Sequence, residues 1–129
     1  MKARTTLGGS DRGSALAEFV LVGALATLLL VGVIQLALTM HVRTTLVDCA
    51  SEGARVGALR GNTPERGIER TRYLVSGALS ESYAEDVAAE FVDLDGAAVL
   101  EITVRAPLPA FGLAGPGGVI AVSGRAFVE

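Results

Sequence analysis

The stretch Phe19–Met40, FVLVGALATLLLVGVIQLALTM, decides how the rest of this chain is organised. It contains no ionisable side chain, and its polar residues are Thr27, Gln35 and Thr39. As an α-helix it would extend over about 33 Å, whereas the hydrocarbon core of a bilayer is about 30 Å thick. The sequence therefore predicts a helix that crosses a membrane.

A buried core helix and a cleaved secretory signal share the apolar character of a membrane anchor. A chain of 129 residues is too short to cover so long a helix on every side. The stretch is also longer than the apolar region of a secretory signal, which has about 7 to 15 residues, and His41–Cys49 offers no small-x-small cleavage site. Asp48 stands where lipoprotein cleavage needs a small residue. We therefore predict a retained anchor.

The charges around the span set its expected orientation. Three basic residues precede it, namely Lys2, Arg4 and Arg12. Only Asp11 opposes them, and the chain beyond the span carries net negative charge. Because positively charged flanks stay on the cytoplasmic side, we expect the N-terminus in the cytoplasm and the C-terminal portion outside.

Composition excludes several classes of function. A formal net charge of −3 gives no basic field for nucleic acid. One cysteine and one histidine cannot form an internal disulfide or the usual zinc sites. The single histidine, His41, is expected at the membrane edge, so the sequence offers no Ser-His-Asp or Cys-His arrangement. Asp93, Asp95 and Gly96 lack the other ligands of a calcium loop and indicate a turn. We expect no catalytic, cofactor-binding or metal-binding residues, so the chain is not expected to be an enzyme.

One carboxylate stands at the start of the span. In Arg12–Leu21, RGSALAEFVL, Glu18 directly precedes Phe19 and the apolar run. An acidic residue at the bilayer centre costs on the order of 3 kcal/mol, so taken alone Glu18 is best placed at headgroup depth, near a helix N-terminus. Its context adds a second interpretation, because Glu18 is the fifth residue after Gly13 and a short basic leader.

This N-terminus resembles prepilins, and more closely the TadE-like minor pilins or pseudopilins of Tad pilus systems. Arg43–Arg60, RTTLVDCASEGARVGALR, is similar to the family's post-membrane helix, above all in Glu52–Arg55 and the following Gly57 and Ala58. The family usually has alanine where Cys49 stands. The resemblance implies the class of protein and its architecture rather than the details of its surface.

The resemblance also implies processing and assembly. A membrane prepilin peptidase would cut between Gly13 and Ser14, which makes Glu18 the fifth residue of the mature chain. Cleavage creates a positively charged α-amino group, and Glu18 of a neighbouring subunit would neutralise it. Glu18 and Phe19 are the implied assembly residues.

The implied function is assembly of a bacterial Tad (Flp-type) adhesion pilus from the cytoplasmic (inner) membrane. The implied partners are the lipid bilayer, the prepilin peptidase, other pilin and pseudopilin subunits and the pilus assembly platform. The alternative is an uncleaved single-pass signal anchor, an accessory or regulatory subunit whose extracytoplasmic head binds a ligand.

The sequence predicts that the membrane helix continues into a stem, giving one helix from about Ser14 to Leu59. Its small-residue face is formed by Ala50, Gly53, Ala54 and Gly57. Glycine in an exposed helix interior costs about 1 kcal/mol relative to alanine, so these glycines indicate close packing. The face contacts either the chain's own C-terminal sheet or another subunit. Cys49 on this face is either a packed small residue or half of an intersubunit disulfide.

The C-terminal half predicts a small α+β head. Thr63 and Pro64 form an N-cap and first turn of a second helix that runs to about Ser82. Its expected inner face consists of Ile68, Thr71, Val75, Ala78 and Leu79. Alternating apolar residues predict a strand on either side of the Asp95-Gly96 turn, and a third strand at Val119–Val128.

The expected domain organisation has three parts. Residues 1–13 are a cytoplasmic prepilin-like leader, and residues 14–60 are the transmembrane helix, with its span at 19–40, and the stem. Residues 61–129 are the extracytoplasmic head, in which the second helix packs on a three-stranded antiparallel sheet.

Overall fold

The computed structural model describes residues 7–108 and 118–129. The chain divides into two compact units, unit 1 with Met1–Leu36 and unit 2 with Ala37–Glu129. The helices and strands are α1 Leu7–Ala58, α2 Pro64–Ala78, β1 Asp86–Leu94, β2 Ala97–Pro107 and β3 Val119–Phe127. A 3-10 turn at Glu81–Tyr83 lies between α2 and β1. These elements confirm the predicted α+β fold.

Helix α1 is longer at its N-terminal end than the sequence predicts. It begins at Leu7, so Gly13 lies inside the helix. The reason is that Leu7–Gly13 contains no proline, and its glycines only weaken a helix. At the other end α1 stops at Ala58, one residue before the predicted end. The chain then reaches Gly61, whose φ of 87° lies in the left-handed region that glycine adopts readily.

The start of α2 follows the prediction, whereas its end does not. Thr63 is extended, and its hydroxyl accepts a hydrogen bond from the Arg66 backbone N–H at 3.4 Å, with Pro64 in the first turn. The helix ends at Ala78 and not near Ser82. Leu79 has φ −123° and ψ −94°, which is not helical and stops the helix there.

The inner face of α2 also differs from the prediction in part. Thr71 and Val75 are buried as expected, and Ile68 is half-buried. Ala78 is exposed, because the helix ends at this residue. Gly67, one turn before Thr71, is buried although the sequence does not predict it on this face. The buried row of α2 therefore consists of Gly67, Thr71 and Val75.

The sheet has the strand order β1-β2-β3, and both strand pairs are antiparallel. Asp95 and Gly96 join β1 to β2 with φ values of 53° and 86°, as expected for a two-residue hairpin turn. The Asp93 side chain accepts the Gly96 backbone N–H at 2.7 Å. This turn fixes the register, in which Leu94 is opposite Ala97 and Phe91 is opposite Leu100.

The core of unit 2 lies between one face of the sheet and the two helices. On the central strand, Leu100, Ile102 and Val104 are fully buried. The C-terminal part of α1 contributes eight buried residues, namely Val42, Leu46, Cys49, Ala50, Gly53, Ala54, Gly57 and Ala58. Burial of a large apolar side chain stabilises a fold by about 1.5 to 3 kcal/mol. The last part of α1 is therefore a structural member of unit 2.

The two outer strands differ in charge. Strand β1 carries Asp86, Glu90 and Asp93, and Glu81–Asp95 contains no Lys or Arg. On β3, Arg125 contacts Glu101 of the neighbouring central strand. One edge of the sheet is thus strongly acidic, whereas the charge on the other is paired.

Candidate functional site

The residues predicted for processing and assembly lie together in the first part of α1. Gly13, Ser14, Glu18 and Phe19 are all helical and all exposed, and Phe19 retains 76% of its accessible surface. A Cβ atom placed on Gly13 would meet nothing within 4 Å. Within residues 7–108 and 118–129, Glu18 forms no ion pair. These side chains are therefore accessible to partners.

Unit 1 continues as an apolar helix that the chain itself does not cover. None of residues 10–36 is buried, although many of them are large and apolar. Thr27 donates its hydroxyl proton to the Gly23 carbonyl at 2.8 Å, so this polar group is satisfied within the helix. The helix is long and apolar enough to cross a membrane.

The small-residue face of α1 lies against α2. A Cβ atom on Gly53 would lie 2.7 Å from the Gly67 carbonyl oxygen and would overlap the Thr71 hydroxyl. A Cβ atom on Gly57 would lie 3.2 Å from the Gly67 Cα and 2.6 Å from a Leu100 methyl group. The two helix backbones meet here, and only glycine leaves them enough space.

The other two residues of that face are fully buried in unit 2. Ala50 and Ala54 have no exposed surface. Gly124 of β3 lies directly against α1, since a Cβ atom there would be 2.5 Å from the Ala50 carbonyl carbon. The structure thus contains the predicted contact of this face with the sheet, at Gly57 and Ala50, and also a contact with α2 that the sequence does not predict.

Cys49 is part of the same buried surface. Its accessible surface is 7%, and the thiol is free. Burial raises the pKa of the Cys49 thiol, and the negative charge of Asp48 raises it further. The thiol is therefore protonated and enclosed in the folded unit, which agrees with a packed small residue and gives a partner's cysteine no direct access.

The charged side chains of unit 2 are arranged as surface groups. A cleft between the end of α1 and β3 is lined by Glu52, Arg55 and Arg125 among others. Arg55 pairs with Glu52 at 3.2 Å, and Arg125 pairs with Glu101. Across residues 7–108 and 118–129, no three His, Cys, Asp or Glu residues lie close enough together to hold a metal ion.

The sequence pattern alone did not identify Gly67, Thr71 and Gly124 as contact residues for α1. A signal was present for the first two, because their four-residue spacing matches that of Gly53 and Gly57 on the facing helix. Gly124 was also recognisable, since an isolated glycine within a strand often marks a close approach of another backbone.

Comparison with known proteins identifies a family for part of α1. The family model described as TadE-like protein matches residues 13–55. This segment lies within α1 and contains Gly13, Glu18 and the span, together with Gly53. Searches of curated proteins and of solved structures found no match. The resemblance to the TadE-like family is thus confirmed for about a third of the chain, all of it helical.

Proposed function

We propose, from the match of residues 13–55 to the TadE-like family, that this protein is a single-pass pseudopilin that acts in assembly of a Tad pilus. The observation that carries the proposal is the order of features within the match. Gly13 comes first, Glu18 follows five residues later, and an uncovered apolar helix begins at Phe19. The proposed role is structural, and the protein performs it by binding other subunits through its exposed surfaces.

Processing is the first step of the proposed function. A prepilin peptidase removes residues 1–13 and leaves Ser14 as the new N-terminus. The exposure of Gly13 and Ser14 supports this step, because a peptidase needs an accessible bond. The protein stays in the cytoplasmic membrane with unit 2 outside, an orientation that the basic residues before the span favour.

Intact-mass measurement of the membrane-extracted protein tests the processing step. We expect a chain that begins at Ser14, and the full-length mass when the prepilin peptidase is deleted. The alternative function, an uncleaved signal anchor with a ligand-binding head, predicts an intact N-terminus in both strains. A full-length mass in the presence of an active peptidase would therefore favour that alternative.

Glu18 has the second role in the proposal. After cleavage, its carboxylate pairs with the α-amino group of Ser14 in a neighbouring subunit, so that neither charge remains alone in an apolar surrounding. The exposed position of Glu18, without an ion-pair partner among the described residues, supports pairing between subunits. Such pairing sets the register of the subunits.

The Glu18→Ala variant tests this role. We expect it to insert into the membrane at the normal level and to be lost from complexes with the other pilus components, measured by co-purification. Asp11→Ala is a matched control, because Asp11 is also an exposed acidic residue of α1. Cleavage after Gly13 removes Asp11 with the leader, so it cannot take part in assembly. Normal co-purification of Glu18→Ala would show that assembly does not depend on this carboxylate.

A further inference from the structure

Two contacts fix how β3 runs along α1 within unit 2. Gly124 lies against Ala50, and the Glu129 backbone N–H donates to the Ala58 carbonyl at 3.0 Å. The strand therefore runs in the same direction as the helix. At about 3.3 Å per strand residue and 1.5 Å per helix residue, the stretch from Gly124 to Val119 is as long as about 11 residues of α1, so Val119 lies level with roughly residue 39.

At this end of unit 2 the last residue of β2 and the first of β3 are apolar and exposed, whereas β1 begins beside them with Asp86, opposite Arg105. Met40 and Val119 keep 60% and 67% of their accessible surfaces. Pro107 is opposite Val119 in the sheet, and Leu108 donates its backbone N–H to Gly118 at 2.9 Å. We call Met40, Pro107, Leu108 and Val119 the apolar end of unit 2.

A basic residue lies beside the apolar end. Arg43 lines a shallow groove together with Met40, and its side chain is exposed. Arginine near the end of a membrane helix places its charged group among lipid headgroups while its aliphatic part remains in apolar surroundings. The combination of exposed apolar side chains and a neighbouring arginine fits a lipid surface better than open water.

We propose that the apolar end of unit 2 lies in the headgroup region of the bilayer and makes a second lipid contact besides the span. The inference rests on the proposed function, because it requires Phe19–Met40 to cross the membrane. Met40 is the last residue of that span, so residues level with Met40 reach the membrane surface. The contact is made by residues of unit 2 alone.

Tryptophan fluorescence tests the lipid contact directly, because the natural chain contains no tryptophan. Val119→Trp reports on the apolar end, and Phe127→Trp is a matched control near the other end of the same strand. The two positions lie on the same face of β3 and have similar exposures of 67% and 69%. They are separated by about 26 Å along the strand.

The full chain is reconstituted in vesicles of phosphatidylcholine and phosphatidylglycerol in equal parts. In parallel vesicles, the phosphatidylcholine carries bromine on the acyl carbons nearest the headgroup and quenches nearby tryptophan. We expect the Val119→Trp variant to lose most of its fluorescence in the brominated vesicles and the Phe127→Trp variant to keep it. Equal fluorescence of Val119→Trp in both kinds of vesicle overturns the inference. This holds even if the emission is blue-shifted, because an apolar but unquenched environment would indicate a contact with protein and not with lipid.

Leu29→Trp separates failure of this inference from failure of the proposed function. Leu29 lies in the span, so quenching of the Leu29→Trp variant without quenching of Val119→Trp rejects only the second lipid contact. Because Leu29 lies near the bilayer centre, the Leu29→Trp variant is measured in vesicles whose bromine is on carbons near the acyl-chain ends, and absence of quenching there rejects the membrane span itself. If Val119→Trp unfolds by circular dichroism, Leu108→Trp takes its place with the same expected quenching.

Discussion

At the scale of single residues, the contact between α1 and α2 depends on glycine. Gly67 lies between the two glycines of α1, and its own Cβ atom would be 2.7 Å from the Gly53 carbonyl oxygen. Carbon and oxygen atoms do not pack so closely, so a methyl group at Gly67 has to move a backbone. The helices would separate, and the buried Thr71 beside them would lose its packing.

We expect Gly67→Ala to destabilise unit 2 by about 1 to 3 kcal/mol, the usual cost of overpacking a core. The measurement is thermal unfolding of the full chain in detergent micelles, followed by circular dichroism. Gly77→Ala is the matched control, because Gly77 lies in the same helix with nothing within 4 Å of its would-be Cβ. That change should be neutral or stabilising by up to about 1 kcal/mol. Equal midpoints for both variants would show that α1 and α2 are not in tight contact.

At the scale of elements, local chemistry accounts for the helices and strands that sequence reasoning found. Thr63 with Pro64 starts α2, and Asp95 with Gly96 forms the hairpin turn, because each of these signals needs only neighbouring residues. Alternation along β2 likewise predicts the burial of Leu100, Ile102 and Val104, although Val99 on the opposite face is buried as well.

The features that sequence reasoning missed depend on the tertiary structure. The close approaches at Gly67 and Gly124 join backbones far apart in sequence, so a glycine can mark a close approach while the sequence does not say which backbone it meets. The early end of α2 likewise depends on the tertiary structure, because Leu79 is an apolar residue that is itself compatible with a helix. For the assembly residues, the sequence pattern identifies Glu18 and the span. It does not identify their partners, because those belong to other molecules.

At the scale of the whole molecule, the buried residues of α1 predict which part of the chain folds independently. Unit 2 begins at Ala37, whereas the head expected from the sequence begins at Gly61. The intervening segment supplies Leu46 and Ala50, which are fully buried in the core. Without it, the parts of the sheet and of α2 that pack against α1 would be open to water.

We expect a fragment of residues 37–129 to unfold cooperatively and to give dispersed amide signals in NMR spectra. A fragment of residues 61–129 should lack both properties, because α2 alone leaves uncovered the parts of β2 and of α2 itself that pack against α1. Addition of a peptide of residues 37–60 should restore part of the native spectrum, as a control for specific packing. Cooperative unfolding of residues 61–129 alone at the same temperature would contradict this division.

The acidic edge of the sheet has a consequence for how the protein behaves at high local concentration. An open strand edge is a template on which other strands add, and this growth leads to amyloid-like fibrils. Asp86, Glu90 and Asp93 of β1 would meet the same carboxylates of a second copy if two such edges approached each other. Their mutual repulsion makes β1 a barrier to uncontrolled polymerisation through its own edge, and ordered assembly is left to other surfaces.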